Sequence, residues 1–456
     1  MQTLRALAGG LSRGTITSRH LVEACLERIA APDGEGSRTF IAVHAASARL
    51  TADWVDAMRA AGAALPPWAG IPLSVKDVFD EAGCVTTAGS AMLADAAPAA
   101  RDAEVVTRLR AAGFIVIGRT NMTEFAYSAI GSNRLHGTPA GAWDRARRRI
   151  PGGSSSGAAI SITDGMAHAA LGSDSGGSCR IPAALNGIVG WKPTAGRVPL
   201  DGANSMTPSL DSIGPLGVSV DCVATLDAIL AGEPAAPLPA RALAGLRLAI
   251  PVPTAPDSPD APIAAAFAAA RDALTRAGVS IVERALPEID ELPAINAKGG
   301  FSAAEYHAWH RALIAERADR YDPRILALIR RGEAQSAADY LDLIRQRRAL
   351  IARVRARVAG FDALLMPTVP IVAPPIDAIA DDDAEYARIN ALLLRNTRLA
   401  NFFDDCAISL PCQRQGGMPV GLMLHGTGGS DRTLLAIAAA VAACITTLLG
   451  EPNDAR

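Results

Sequence analysis

The sequence has few aromatic residues, almost no excess of charge and no closely spaced cysteine pairs. Aromatic residues make up 4% of the 456 residues, and the formal net charge at pH 7 is −2. A chain this close to neutral gives no electrostatic reason to expect binding to nucleic acid or to an anionic membrane. Its seven cysteines form no Cys-x-x-Cys pair. This argues against a disulfide framework or a zinc site, and favours a reducing compartment.

Segments for export or membrane insertion are also missing. The first residues, MQTLRALAGGLSRG, contain no apolar stretch of the kind found in signal peptides. Residues 434–450 are uncharged, but they are rich in alanine and include two threonines. We predict a buried helix there, because a membrane span needs about 20 strongly apolar residues. We therefore expect a cytoplasmic protein with no membrane partner.

Helix-like and strand-like segments alternate along the chain. Residues 102–112 are amphipathic, Gly113 would end a helix, and residues 114–118 form an apolar strand-like run. The same order recurs at residues 261–282. This alternation predicts an α/β fold with helices packed on a sheet. Residues 196–215 have a loop-like composition.

Two loops rich in glycine and serine have the most informative composition. They are GGSSSG at 152–157 and GSDSGGS at 172–178, and predicted helices follow at 155–163 and 178–185. Glycine lets main-chain N–H groups approach a bound group closely. We predict that Ser178 is a nucleophile at a helix N-terminus, and that the N–H groups of Ser175, Gly176 and Gly177 stabilise the oxyanion.

A serine nucleophile needs a base, and two kinds are possible. A Ser-His-Asp triad would use one of seven histidines, all of which lie outside the two loops. A lysine can act instead if burial lowers its pKa from about 10.4 to near 7, which requires about 4 kcal/mol. Lys76 lies in an apolar strand-like segment, residues 70–78, and is the better candidate. A hydroxyl from the first loop could then connect it to Ser178.

Five motifs in this order resemble the amidase signature family of serine hydrolases. They are GIPLSVKD at 70–77, GRTNMTEF at 118–125, GGSSSG at 152–157, GSDSGGSCRIPA at 172–183 and GWKPT at 190–194. The resemblance is dense over residues 1–230 and returns at 364–368 and 401–426. It implies a serine–serine–lysine triad. Ser178 would be the nucleophile, Ser154 the bridging serine after a cis peptide bond, and Lys76 the base.

We also predict roles for neighbouring residues, and expect the substrate pocket to include residues 122–127, Ser175 and parts of residues 300–410. Met122 and Thr123 are expected to contribute to substrate binding. Ser155, Asp174 and Arg180 are expected to support the loops by hydrogen bonding. No metal and no cofactor is implied.

The fold implied by the resemblance is a three-layer α/β/α sandwich around a large mixed β-sheet. A single domain would span residues 1–456. It would comprise an N-terminal helical segment at 1–63, a catalytic core at 64–230 and a variable helical region at 285–400 that forms the substrate pocket. We expect a monomer or homodimer that binds a small molecule.

The expected reaction is hydrolysis of a C–N bond in a small amide or carbamate. The segment NFFDDCAISLP at 401–411 replaces the Gly-x-Pro-Ala of many members, and it is similar to members that act on carbamates or ureas. One alternative is the glutamine-hydrolysing component of a tRNA-dependent amidotransferase, which would require partner subunits. Another is a non-catalytic protein that binds phosphate or a nucleotide, although neither loop ends in Gly-Lys-Ser/Thr.

Overall fold

Eleven strands form one mixed sheet in the computed structural model, which describes residues 1–252, 258–414 and 416–449. The strands are β1 Phe40–Val43, β2 Pro72–Lys76, β3 Ile115–Thr120, β4 Ala170–Asp174, β5 Val189–Lys192, β6 Ser212–Gly217, β7 Arg247–Val252, β8 Ser280–Ala285, β9 Ala363–Pro367, β10 Cys406–Pro411 and β11 Gly421–Gly426. Their order across the sheet is β1-β3-β2-β4-β6-β5-β10-β11-β9-β7-β8.

Strand β2 lies inside the sheet and carries Lys76 as its last residue. It runs parallel to both β3 and β4, with Lys76 opposite Thr120 and Val75 opposite Leu171. All five residues of β2 are buried, as expected for a strand with parallel neighbours and both faces covered. β4 in turn pairs antiparallel with β6. The carboxyl ends of β2 and β4 therefore meet at the same edge of the sheet.

Helices cover both faces of the sheet. They are α1 Leu4–Ser12, α2 Ser18–Ala30, α3 Gly36–Thr39, α4 Ala45–Ala60, α5 Glu104–Ala111, α6 Ser156–Thr163, α7 Arg180–Asn186, α8 Val220–Ala231, α9 Ala261–Arg276, α10 Leu292–Ile295, α11 Gly300–Arg317, α12 Pro323–Arg330, α13 Ala337–Val358, α14 Asp383–Phe402 and α15 Asp431–Leu449. In β10, Ile408 packs with residues of α15, whereas its neighbour Ala407 packs with residues of α13 and α14. Successive strand residues point to opposite faces, so the α/β/α sandwich with a mixed sheet is confirmed.

Two strands occupy positions where the sequence predicts helix or loop. β1 interrupts the predicted helical segment 1–63 and pairs with β3 at the sheet edge. β6 lies across the end of the predicted loop 196–215 and pairs with β4 and β5. Gly214 and Pro215 give β6 its loop-like composition. A Cβ on Gly214 would lie 2.0 Å from the carbonyl oxygen of Trp191, so glycine is required where β5 approaches.

Helices α10 to α14 lie in the range 285–400, together with strand β9. The predicted helix 434–450 corresponds to α15, which begins three residues earlier; Gly450 lies outside the described residues. Among the described residues, the helices are all too short or too polar to cross a membrane.

Candidate active site

Lys76 lies at the end of β2 with its side chain fully buried. Its Nζ donates hydrogen bonds to Ser154 Oγ at 2.7 Å and to Ser173 Oγ at 2.8 Å. Ser154 belongs to the first glycine/serine loop, and the peptide bond between Gly153 and Ser154 is cis. Ser173 belongs to β4. The lysine that the sequence selects as a base therefore contacts a hydroxyl from each of the two glycine/serine segments.

Burial changes the acidity of this lysine. It lowers the pKa of Lys76 from its usual value to about 8, and nearby anionic groups such as Asp174 oppose only part of the effect. Removing a cation from water disfavours the charged form, and no carboxylate is bonded to Nζ in the described residues to compensate. At pH 7 about a tenth of the Lys76 side chains is then an uncharged amine that can accept a proton.

Main-chain contacts fix the first loop beside Lys76. The N–H of Gly153 donates to the carbonyl of Ala129 at 2.7 Å, and the N–H of Thr123 donates to the carbonyl of Ser154 at 3.1 Å. A Cβ on Gly153 would lie 2.6 Å from the nitrogen of Gly131. The close approach of these two backbones requires glycine, and it sets the position of the following serine.

The carboxylate of Asp174 organises the second loop. It accepts hydrogen bonds from the N–H groups of Gly177 at 2.8 Å and Cys179 at 3.2 Å, and from Arg180 Nε and Nη2 at 3.0 and 2.8 Å. Asn401 donates a further bond from α14 at 3.0 Å. Burial alone would raise the pKa of Asp174, but the charge and hydrogen bonds of Arg180 outweigh it and lower the pKa to about 2. The carboxylate stays ionised and holds the turn in one shape.

These bonds correct one part of the predicted oxyanion site. The N–H of Gly177 is committed to Asp174 and is not free for an oxyanion. By contrast, within the described parts of the chain, the N–H groups of Ser175, Gly176 and Ser178 donate to no protein acceptor. Gly177 instead permits the turn, because its φ is 137° and a Cβ would lie 2.3 Å from Thr397 Oγ1. The donors that remain free are therefore on Ser175, Gly176 and Ser178.

Ser178 lies against the first loop, two residues before α7. The helix begins at Arg180, so the predicted start of the helix at Ser178 is wrong. The N–H of Ser155 donates to the carbonyl of Ser178 at 3.3 Å, and Ser155 Oγ donates to the carbonyl of Ser173. Over the described ranges, no hydrogen bond joins the hydroxyls of Ser154 and Ser178.

A cavity of about 290 Å³ opens beside Ser178. Ser175 and Gly176 line it with Ser178, and residues 126–129 form part of the wall. The candidate nucleophile, the free N–H groups and a space for a small molecule therefore coincide.

A sequence profile described as Amidase matches residues 20–435. The chain belongs to the amidase family. The chain is therefore a hydrolase of C–N bonds. This finding rules out the alternative of a non-catalytic protein that binds phosphate or a nucleotide.

Similar proteins cover nearly the whole amidase. A 2-amino-5-chloromuconic acid deaminase from Comamonas testosteroni is 36% identical over 98% of this chain and 97% of its own. One glutamyl-tRNA(Gln) amidotransferase subunit, from Chloroflexus aggregans (strain MD-66 / DSM 9485), is 34% identical over 95% of this chain and 94% of its own. A crystal structure of an amidase is 29% identical, covers 98% of this chain and 100% of its own, and has a TM-score of 0.83.

The predicted substrate-binding residues of the amidase need correction. Met122 and Thr123 are buried and, in the part of the chain that the structure describes, neither lines the cavity beside Ser178. Met122 packs in the hydrophobic core, and Thr123 supports Ser154 through its N–H. The wall begins at Ala126 because a left-handed turn at Phe125 and Ala126 redirects the chain.

Three further residues of the amidase site escape sequence reasoning. The sequence pattern places Ser173 in a loop, but β4 extends through Asp174 and places the Ser173 hydroxyl on Lys76. A predicted strand that continued through Asp174 would have included Ser173. Arg331 and Arg398 line the cavity, yet they lie in charged helical segments where many arginines face solvent. No sequence signal distinguishes them.

Replacing Asp174 by asparagine should destabilise the amidase strongly. Asp174 and Arg180 are both fully buried, and loss of the carboxylate would leave an uncompensated guanidinium. Removing one partner of a buried pair costs about 3–5 kcal/mol. Denaturant unfolding would measure the change in unfolding free energy. Asp342→Asn, at an exposed pair with Arg345, should change it by less than about 1 kcal/mol. Equal effects would contradict the assigned role.

Proposed function

We propose that the chain hydrolyses a small amide or carbamate through an acyl-enzyme on Ser178, with Lys76 as the base and Ser154 as the bridge. The observation that carries the proposal is the buried 2.7 Å hydrogen bond between Lys76 Nζ and Ser154 Oγ, in a loop that contacts Ser178. A lysine with a pKa of about 8 has about a tenth of its molecules uncharged at pH 7. That fraction suffices for a general base.

The proposed first half of the reaction forms the acyl-enzyme. Ser178 Oγ attacks the substrate carbonyl carbon and gives its proton to Ser154, while Ser154 gives its own proton to neutral Lys76. The free N–H groups of Ser175 and Gly176 donate to the oxygen that becomes negative. As the tetrahedral intermediate collapses, the C–N bond breaks and the proton returns from Lys76 through Ser154 to the leaving nitrogen.

The second half repeats the relay with water. Water attacks the ester carbon and gives its proton through Ser154 to Lys76. The bond to Ser178 Oγ then breaks, and Ser178 regains a proton by the same path. The relay moves no net proton over the cycle, so one buried lysine serves as base and acid in both halves.

A glutamine-hydrolysing component of an amidotransferase is the second candidate, because one such amidotransferase subunit is 34% identical over 95% of this chain. Glutamine carries an ammonium group as well as a carboxylate. Among the described residues that line the cavity, none is Asp or Glu, so no carboxylate of the lining would pair with this ammonium. The cavity therefore favours a stand-alone hydrolase. The relative from Comamonas testosteroni is, by its name, a deaminase of 2-amino-5-chloromuconic acid.

The residues that line the cavity do not distinguish an amide substrate from a carbamate substrate. Segment 401–411, whose sequence suggests carbamates, contributes Asn401 and Phe402 to the wall, and Asn401 is bonded to Asp174. Both substrate types present a carbonyl carbon to Ser178 and an oxygen to the same N–H groups.

Labelling with a neutral fluorophosphonate tests the proposed nucleophile. Ser178 Oγ would form a bond to phosphorus as fluoride leaves, and peptide mass spectrometry should locate the adduct on Ser178. The labelling rate should rise with pH up to about 8, because deprotonated Lys76 accepts the serine proton. Labelling elsewhere, or a flat rate between pH 6 and 8, would contradict the proposal. Glutaminase activity together with co-purifying partner proteins would instead favour the second candidate.

A further inference from the structure

Two arginines line the cavity beside Ser178 without an anionic partner. Arg331 follows α12 and Arg398 belongs to α14. Across residues 1–252, 258–414 and 416–449, neither side chain makes a hydrogen bond to protein or an ion pair. The remaining lining residues include no Asp, Glu, Lys or His in the described structure, so the wall carries a formal charge of +2.

The position of Arg398 connects it to the reaction centre. Its neighbour Thr397 donates a 2.5 Å hydrogen bond from Oγ1 to the carbonyl of Gly176, in the loop that bears the free N–H groups. Arg398 is an exposed residue that lines the cavity, and the protein that surrounds part of its guanidinium lowers its pKa. A partly desolvated cation gains more from an anionic ligand than one fully surrounded by water.

Arg331 lies on the wall formed by two stacked tyrosines. The rings of Tyr127 and Tyr306 are 3.9 Å apart and nearly parallel, and the charge of Arg331 acts on the Tyr127 hydroxyl. Tyr306 is fixed because its hydroxyl donates to the carbonyl of Phe125 at 2.7 Å. The two stacked rings form an aromatic part of the wall, and the cationic side chain of Arg331 lies beside it.

We infer that the substrate is a small anionic compound, with a carboxylate that binds Arg398 or Arg331 while its C–N carbonyl lies at Ser178. This inference rests on the proposed function and specifies its substrate class. The planar guanidinium can donate two parallel hydrogen bonds to a carboxylate. A neutral amide would leave both guanidinium groups, which are exposed, with only solvent as a partner. A substrate with a second carboxylate could pair with both arginines.

Matched pairs of substrates test the inference. Succinamate and succinamide differ by one carboxylate in place of a carboxamide, and adipamate and adipamide form a longer pair. We expect kcat/KM to be about 10- to 100-fold higher for at least one anionic member than for its diamide, counted per amide group, because a hydrogen bond to a charged group contributes about 1.5–3 kcal/mol. Equal values for both pairs would overturn the inference.

Arginine variants show which side chain causes the preference for the anionic substrate. Arg398→Leu and Arg331→Leu are made singly, and at least one should remove most of the preference by raising KM for the anionic amide, with little change for the diamide. Lysine at the same position should restore part of it. Arg348→Leu, at an exposed position on α13 outside the cavity, should retain the full preference. If each leucine variant lowers kcat/KM by the same factor for the anionic amide and for the diamide, the inference is wrong.

Binding separates this inference from the proposed chemistry. Calorimetry with Ser178→Ala measures affinity without turnover, and at least one of succinamate and adipamate should bind about tenfold or more tightly than its diamide. Combining Ser178→Ala with whichever of Arg398→Leu and Arg331→Leu removes the kinetic preference should abolish that difference in affinity. Equal affinities within both pairs would overturn the inference even if Ser178 is labelled. Failure of fluorophosphonate to label wild-type Ser178 would overturn the proposed nucleophile, whatever the binding result.

Discussion

Ser178→Ala is expected to reduce kcat by roughly 10,000-fold or more. The substitution removes the oxygen that would form the acyl-enzyme, and no water in the same position could be activated as efficiently. Ser178 is almost fully buried and its removal deletes only one hydroxyl, so the fold should persist. Steady-state hydrolysis of succinamate, with circular dichroism to verify folding, would measure the effect.

Ser156→Ala is the matched control for this loss. Ser156 is also a buried serine of the glycine/serine loops, and its hydroxyl has no hydrogen-bond partner in the described structure. Its removal should leave turnover of the same order as the wild type. A folded Ser178→Ala protein that retains a tenth of wild-type kcat would exclude Ser178 as the nucleophile.

Lys76→Met should lower kcat by about 100- to 10,000-fold at pH 7, the range for loss of a general base. Methionine approximates the length of lysine and fills the same buried space, but it cannot accept the proton that reaches Ser154. The wild-type rate should also depend on pH. Below the Lys76 pKa of about 8, kcat/KM should fall about tenfold per pH unit, because protonated lysine is no base.

Lys192→Met offers a closely matched control. Lys192 is likewise fully buried and burial lowers its pKa to about 8. Its Nζ donates to the carbonyls of Pro193 and Asp405, away from the proposed relay. Loss of these bonds should reduce stability while turnover per folded molecule and its pH profile remain. Near-normal turnover by Lys76→Met at pH 7 would rule out Lys76 as the base.

The sequence is most informative where one residue type is needed for a local reason. Gly153 is required because a side chain would collide with the backbone at Gly131, and Gly177 because the loop turns through a positive φ. These steric and conformational requirements can be recognised in the sequence because only glycine satisfies them. Lys76 is recognisable for the same kind of reason, since a cation in an apolar strand is costly.

Local sequence patterns predict the wrong structure where contacts with a distant part of the chain determine the conformation. Strand β6 looks like a loop because Gly214 and Pro215 are poor strand residues, but β4 and β5 provide its hydrogen-bond partners. The loop composition predicts a free N–H on Gly177, but the Asp174 carboxylate, held by Arg180 and Asn401, accepts its hydrogen bond. Asn401 lies more than 200 positions along the chain from Asp174.

By itself, the sequence determined the α/β class, the resemblance to the amidase signature family and the two loops that meet at Lys76. Local steric and electrostatic requirements leave these features in the order of residue types. Only the tertiary structure decided which N–H groups stay free, that Ser173 reaches the lysine, and that Arg331 and Arg398 share a cavity with Ser178. The first fact depends on Asn401, which helps to hold the Asp174 carboxylate, the second on the pairing of β4 with β2, and the third on where α14 and the end of α12 lie beside the cavity. Each involves residues far apart in the chain, and no local pattern encodes such a contact.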